Sequence, residues 1–221
     1  MRVSLAPAFI LHRRPYGETS YLLDVLTEDH GRISLIAKGV RKSKSSHKAI
    51  LQPFVPLLLS WQGKTELMTM TGAEANGAGL HLQGDCLLAA FYINEILNYL
   101  LLKQDPHPKL YTIYAHTLVE LQTMPLQQRI LRLFEKKLLE ELGYGIWRND
   151  FEADGFYRFY PESGFVRCAD GIDTFSGKML LDLALEKLEE EGLLKEAKRL
   201  MRVLFKPLLN GRELKSKELF I

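Results

Sequence analysis

The chain has 221 residues, 47% of them hydrophobic and 25% charged, which suits a folded protein with one large core or two small ones. Its two cysteines, Cys86 and Cys168, lie far apart, which excludes a disulfide framework and a Cys-based zinc site and points to a reducing compartment. The net charge is only +2, yet residues 30–65 hold seven Lys/Arg and no acid, residues 195–217 carry +6, and the remainder carries −11. Two basic patches on an acidic body suggest a polyanion footprint, whereas a pair of merely solvated faces is the plainer alternative.

The pattern over residues 1–75 is that of strands. Ala8–His12, Ser20–Thr27, Arg32–Ala37, Val55–Trp61 and Thr65–Thr71 are strand-like runs separated by turn residues such as Arg14-Pro15-Tyr16-Gly17 and Glu28-Asp29-His30-Gly31. Five short strands in this length predict a small closed barrel, for which the OB-fold is a common solution. Pro53 and Pro56 suit the start or edge of the fourth strand. The third strand leads into Lys38, Arg41, Lys42, Lys44 and Lys48, spaced largely by Gly and Ser, so a strand delivers an uncompensated basic loop into solvent.

From Asp85 the pattern turns helical. Leu87, Leu88, Phe91, Leu97, Leu100 and Leu101 recur mostly at three- and four-residue steps, and Asp105-Pro106-His107-Pro108 stops this helix. Asn94, Glu95 and Asn98 interrupt it, so it does not read as membrane-spanning. The apolar run near Met1 is too short for a signal peptide, and the chain is expected to be cytoplasmic. A second helix is predicted from about Leu110 to Thr123, and a third is opened by Pro125 at its first turn and ends near Leu142. Phe156–Tyr160 and Phe165–Cys168 predict an aromatic hairpin. A helix from Ser176, a candidate N-cap, to Glu190 follows, then another from Leu193 to about Lys206, where Pro207 should end or kink it. The class is therefore α+β: a barrel domain at 1–75 and a helical domain at 76–221 with a small inserted hairpin near 156–168.

The last helix carries the second patch. Lys195, Lys198, Arg199, Arg202 and Lys206 share one face, and Ala197, Leu200, Met201 and Leu204 form the opposite stripe. Such a helix can lie along a phosphate backbone.

Catalytic motifs fail one after another. The six histidines have no zincin or finger spacing. Gly63-Lys64-Thr65 resembles the end of a P-loop, but Leu58 stands where its first glycine belongs. Ser45 and Lys48 fit an S-x-x-K pattern without a second motif, and Glu28-Asp29 and Glu189-Glu190-Glu191 read as a turn and a solvated helix end. No enzyme is expected. A barrel with a basic loop and exposed rings is instead how single strands are held, with cations on phosphates and bases on aromatic faces. Tyr16, Tyr21, Phe54 and Trp61 are the candidate rings, Tyr16 first because it sits beside Arg13 and Arg14. Barrel and charge leave open an RNA-binding protein or an interaction adaptor.

The segment LHRRPYGETSYLLDVLTEDHGRISLIAKGVRKSKSSHKAILQPF, from Leu11 to Phe54, resembles the RecO family of bacterial DNA repair and recombination proteins. The likeness continues through Tyr92-Ile93-Asn94-Glu95, through LRLFEKKLLEELGYG (Leu131 to Gly145) and into AKRLMRVLFKPLLNGRELKSKELF (Ala197 to Phe220). The order and spacing of these stretches carry it. The resemblance implies an OB-fold followed by a helical domain. It also implies binding of single- and double-stranded DNA, annealing of complementary strands, and cooperation with RecR to help RecA replace single-stranded DNA-binding protein (SSB). DNA ligands on this reading are Arg13, Arg14, Lys38, Arg41, Lys42, Lys44, Lys48, Lys198, Arg199, Arg202 and Lys206. Some members carry a four-cysteine zinc motif. Here only Cys168 stands in that region, so no zinc or other cofactor is expected. The family's SSB-tail site maps to Arg132 as carboxylate anchor with Leu133 or Leu138 as apolar wall, against the local alternative that Arg132 pairs with Glu135 on its own helix face. A nucleoid-associated place in the cytoplasm would follow.

Overall fold

The computed structural model describes residues 1–42, 46–122, 125–145 and 150–216. Lys44 and Ser45 of the basic loop, Thr123, and the end of the segment reaching Phe220 lie outside the described residues.

Alternating burial builds the N-terminal barrel. In β3 (Gly31–Ala37) Ile33, Leu35 and Ala37 are buried while Arg32, Ser34 and Ile36 are only partly covered, as a period of two demands. With β1 (Arg2–Tyr16), β2 (Ser20–Thr27), β4 (Leu57–Gln62) and β5 (Leu67–Ala75) it closes in the order β1-β2-β3-β5-β4. All pairs are antiparallel except β3 with β5, which run parallel and seal the barrel. β1 is much longer than the predicted Ala8–His12. Its C-terminal half pairs with β2 and its N-terminal half with β4, through register shifts between Ile10 and His12 and between Val3 and Ala6. Such bulges bend a strand far enough to serve two neighbours. At the second shift Leu5 takes φ +52° and its N–H bonds to Ser60 Oγ at 3.0 Å. Ile10, Leu23, Val25, Ile33, Leu35, Leu57, Leu59 and Trp61 fill the interior. Pro53 and Pro56 precede β4, where no ladder N–H is needed.

The turn before β3 requires its glycine. Gly31 has φ +65°, and a Cβ there would stand 2.1 Å from the Asp105 carbonyl oxygen.

Two helices pack with the barrel. α1 (Gly84–Leu100) turns Cys86, Ala89, Ile93 and Leu97 inward, and buried Asn94 donates to the Leu11 carbonyl at 3.0 Å while accepting from the Tyr114 hydroxyl at 2.6 Å. α2 (Pro108–Glu120) starts earlier than predicted because Pro108 occupies its first turn. The Tyr111 and Tyr114 rings of α2 contact Phe9 of β1 at 5.6 and 5.2 Å. The chain divides into two units, Met1–Leu126 with the segment from Glu213, and Gln127–Arg212. The returning segment is tied to α1 by one carboxylate. Glu95 accepts from the Lys215 and Ser216 amides, each at 2.9 Å, and from the Ser216 hydroxyl at 2.6 Å.

The second unit holds α3 (Gln128–Glu141), a three-stranded sheet of β6 (Phe156–Tyr160), β7 (Gly164–Cys168) and β8 (Phe175–Ser176), then α4 (Gly177–Ala184) and α5 (Glu191–Leu208). The predicted hairpin gains β8 as a third strand on the β6 side. Phe151 meets Tyr157 and Phe165 edge-on at 5.0 and 5.4 Å, and Phe165 meets Phe159 at 5.4 Å, giving the small sheet its own aromatic core. Three predicted helix boundaries move. α3 begins three residues after Pro125, because Gln127 is still extended. α4 is capped by Ser176 Oγ as predicted but ends at Ala184, well before Glu190. Glu186 there takes φ +58°, its carboxylate between Lys136 and Lys137 at 3.2 and 3.1 Å and its carbonyl accepting from Arg129. α5 carries Pro207 inside its last turn instead of stopping before it, and Asn210 and Gly211, at φ +48° and +76°, turn the chain away.

Candidate nucleic-acid interface

At one end of the barrel, the basic loop folds back onto the β1–β2 turn. Two arginines hold it there. Arg13 donates from Nη1 to the Leu51 carbonyl at 2.7 Å, so β1 grips the far end of the loop. Arg41 donates from its amide to the Thr19 carbonyl at 2.9 Å and from Nη1 to the Gly17 carbonyl at 2.8 Å, so the near end grips the turn. Both lie over the Tyr21 ring, with the Arg13 guanidinium carbon 4.7 Å and the Arg41 guanidinium carbon 5.9 Å from its centre. Val40 and Leu51, both buried, anchor the loop in the barrel interior.

This arrangement exposes charge without neutralising it. Arg14, Lys38, Lys42 and Lys48 are exposed, and Arg13 and Arg41 are partly so. Among the described residues, none of these six lies within ion-pair distance of a carboxylate. The Arg13 and Arg41 guanidiniums have each used one side-chain donor on a backbone carbonyl, leaving further N–H groups for an anion.

The four candidate rings separate. Tyr16 is 48% exposed. Tyr21 is half-buried under the two arginines. Phe54 and Trp61 are corrected to core residues: Phe54 is buried edge-on to Phe91 at 5.0 Å, and Trp61 is fully enclosed in the barrel with His30 against it at 5.3 Å. The role of Tyr21 as the ring shared by two arginines was missed. Its signal is register: Tyr21 pairs with Pro15 across the hairpin, which places Arg13 diagonally beside it, and with Ala37, next to Lys38.

On α5 the predicted basic face is less uniform. Lys195 pairs with Glu191 at 2.6 Å. Arg199 donates to the Ile172 carbonyl at 2.8 Å and to the Thr174 carbonyl, and its guanidinium lies 4.5 Å over the Phe175 ring, so it pins the loop before β8. Lys198, Arg202 and Lys206 are exposed and unpaired with carboxylates among the described residues. Partial burial, then the charges of Arg202 and Arg132, hold the Lys198 ammonium below the ordinary lysine range.

The residues mapped to the SSB tail are mostly interior. Arg132 is 4% exposed and its Nη1 lies 3.1 Å from Glu135 Oε2, while its Nε has no acceptor among the described residues. The local pairing with Glu135 is thus present, through Nη1. Leu138 is fully buried and Leu133 half-buried, so of the three only Leu133 offers appreciable surface. Among the described residues, no three His, Cys, Asp or Glu side chains cluster as metal ligands, and no helix is long and apolar enough to cross a membrane.

The family model for the N-terminal part of recombination protein O matches residues 1–77, and the model for its C-terminal part matches residues 81–151. The DNA repair protein RecO of Coxiella burnetii (strain CbuG_Q212) is 44% identical over 227 residues, covering 99% of this chain and 98% of its own. That of Nitrosococcus oceani is 44% identical over 229 residues, covering 99% and 93%, and that of Paraburkholderia xenovorans 39% over 230 residues, covering 100% and 77%. The chain belongs to the RecO family. In this RecO-family chain the N-terminal match contains the whole OB-fold barrel and its basic loop. The C-terminal match takes in α1, α2 and α3 and stops before the small sheet, α4 and α5.

Proposed function

We propose that this RecO-family chain is a non-enzymatic recombination mediator. It binds single- and double-stranded DNA, anneals complementary strands, and with RecR helps RecA load onto DNA covered by SSB. The observation that carries this reading is the set of six cations, Arg13, Arg14, Lys38, Arg41, Lys42 and Lys48, displayed at one end of an OB-fold barrel without carboxylate partners among the described residues. Phosphates of two strands brought to such a surface repel one another less, and that repulsion is what slows annealing. Contacts made to backbone rather than to base edges suit a protein that must act at any sequence. Lys198, Arg202 and Lys206 extend the phosphate-binding set, and Lys44 belongs with the loop. Docking of an SSB tail at Arg132 requires the incoming carboxylate to take the place of Glu135, or to use the Nε that Glu135 leaves open. The aromatic core of the small sheet is consistent with a fold that needs no zinc.

The test is affinity for a single-stranded oligonucleotide as a function of salt. If the six cations each meet a phosphate, log K falls against log salt with a slope of about −4. Reversing Arg41 and Lys42 to Glu should abolish binding while circular dichroism stays unchanged. A flat salt dependence, or unchanged binding by that variant, would sink the proposal.

A further inference from the structure

Lys198, Arg202 and Lys206 stand four residues apart, so they form a row with steps of about 6 Å along one face of α5. None is neutralised by a carboxylate within ion-pair distance among the described residues. The row ends at an open groove of about 410 Å³ between α5 and the small sheet. Phe159, Pro161, Val203 and Pro207 give it apolar walls, and Lys206 and Asn210 supply its polar side chains. Val203 is 41% exposed, as is Tyr160 beside it in sequence to Phe159 and Pro161. Pro207 has no N–H, so it withholds the helical donor that the Val203 carbonyl would otherwise accept.

We propose that this groove is a nucleobase slot at the end of a phosphate track. A single strand lays its phosphates on Lys198, Arg202 and Lys206 and turns one base against Phe159 and the faces of Pro161 and Pro207. The inference rests on the DNA-binding reading above and adds to it a contact made by a base. Only an unpaired strand can offer a base in this way, because in a duplex the bases are stacked and paired. The regular spacing of the cations favours a polymer of evenly repeated charge over an acidic peptide. With only Lys206 and Asn210 as polar lining side chains, the slot holds any base by its face and selects weakly among them.

Photo-cross-linking of the full chain tests this, using a short oligonucleotide with 5-iodouracil at each position in turn and mass spectrometry of the adducts. Adducts are expected within residues 156–161 or 203–211. Val203→Arg fills the slot yet keeps the cationic row, and Val203 is exposed enough for the fold to tolerate it. In that variant the adducts should vanish. The preference for the oligonucleotide over an abasic strand of equal length should fall by about fivefold or more. Adducts confined to residues 1–126 with binding intact, or adducts in the second unit that persist in Val203→Arg, would overturn the slot alone. Protection of the groove by an Asp-rich peptide without any DNA adduct there would reassign it and likewise overturn the slot. Failure of the wild-type chain to bind the oligonucleotide would remove the DNA reading itself.

Discussion

Replacing Tyr21 by Leu should weaken DNA binding although Tyr21 carries no charge and need not touch DNA. Its ring is covered by the Arg13 and Arg41 guanidiniums, each contact amounting to roughly 0.5–1 kcal/mol at a partly exposed site. Without the ring, both side chains must be ordered when the ligand arrives, at about 0.5–1.5 kcal/mol each. The hydrogen bonds to the Leu51 and Gly17 carbonyls remain and favour the lower end, so a loss of about tenfold is expected. Fluorescence anisotropy with a labelled single strand across a salt series reads this directly. In Tyr21→Leu the intercept of log K should fall while the slope persists, because no charge has been removed. Lys42→Ala should instead flatten the slope by about 0.7. Tyr21→Phe keeps the aromatic face and should bind like the wild type. Wild-type affinity in Tyr21→Leu, or an equal loss in Tyr21→Phe, would refute the reasoning, and the melting midpoint recorded alongside separates lost positioning from lost folding.

Three further outcomes concern the scaffold. Tyr114→Phe removes the donor to buried Asn94 Oδ1 and should destabilise the chain by about 1–3 kcal/mol in urea unfolding; no measurable change would mean that this bond contributes nothing net. Arg132→Met should cost about 3–5 kcal/mol by removing the guanidinium that pairs with the buried Glu135 carboxylate, and adding Glu135→Leu should recover part of it; a double variant as unstable as the sum of both singles would contradict the pairing. At Asp24, burial raises the carboxyl's proton affinity. Hydrogen bonds to His12 and Ser34 and the charge of Arg32 outweigh this and hold it below the usual range. Its stabilisation is therefore complete above the unfolded value near about 3.9 and is lost as pH falls through the lower folded value, so Asp24→Asn should make stability less dependent on pH below about 4. An unchanged acid limb in the stability curve of that variant would discount the group.

The barrel was legible because its strands alternate cleanly and are bounded by Gly and Pro, as β3 shows. What periodicity could not give was partnership. β1 was underread because Pro7 and Arg13-Arg14-Pro15 look like interruptions, whereas the strand bends through two register shifts to serve two neighbours. α4 was overread because the left-handed turn at Glu186 is imposed by Arg129, Lys136 and Lys137 from another helix, which no local pattern announces. At the candidate site, charge and its lack of local acid were visible in composition, and Tyr16 was rightly placed in solvent. Aromatic identity alone could not tell the enclosed Trp61 from the exposed Tyr16. Nor could it reveal that Arg199 is engaged with backbone carbonyls while Lys198 and Arg202 on the same helix face are not.

The three bonds to Glu95 also set a timetable. Their donors lie 120 and 121 residues further along the chain. At a synthesis rate of roughly 5–20 residues per second, α1 therefore exists for about 6–24 s before Lys215 and Ser216 are made. Throughout that interval the barrel and its two helices can assemble, but the carboxylate has no donors and Leu214, buried in the finished protein, has not yet been added. The unit that begins first is thus closed last, after the whole of Gln127–Arg212 has been translated. A chain cut short anywhere in that stretch would display an incomplete first unit, a defect by which an unfinished product differs from a finished one.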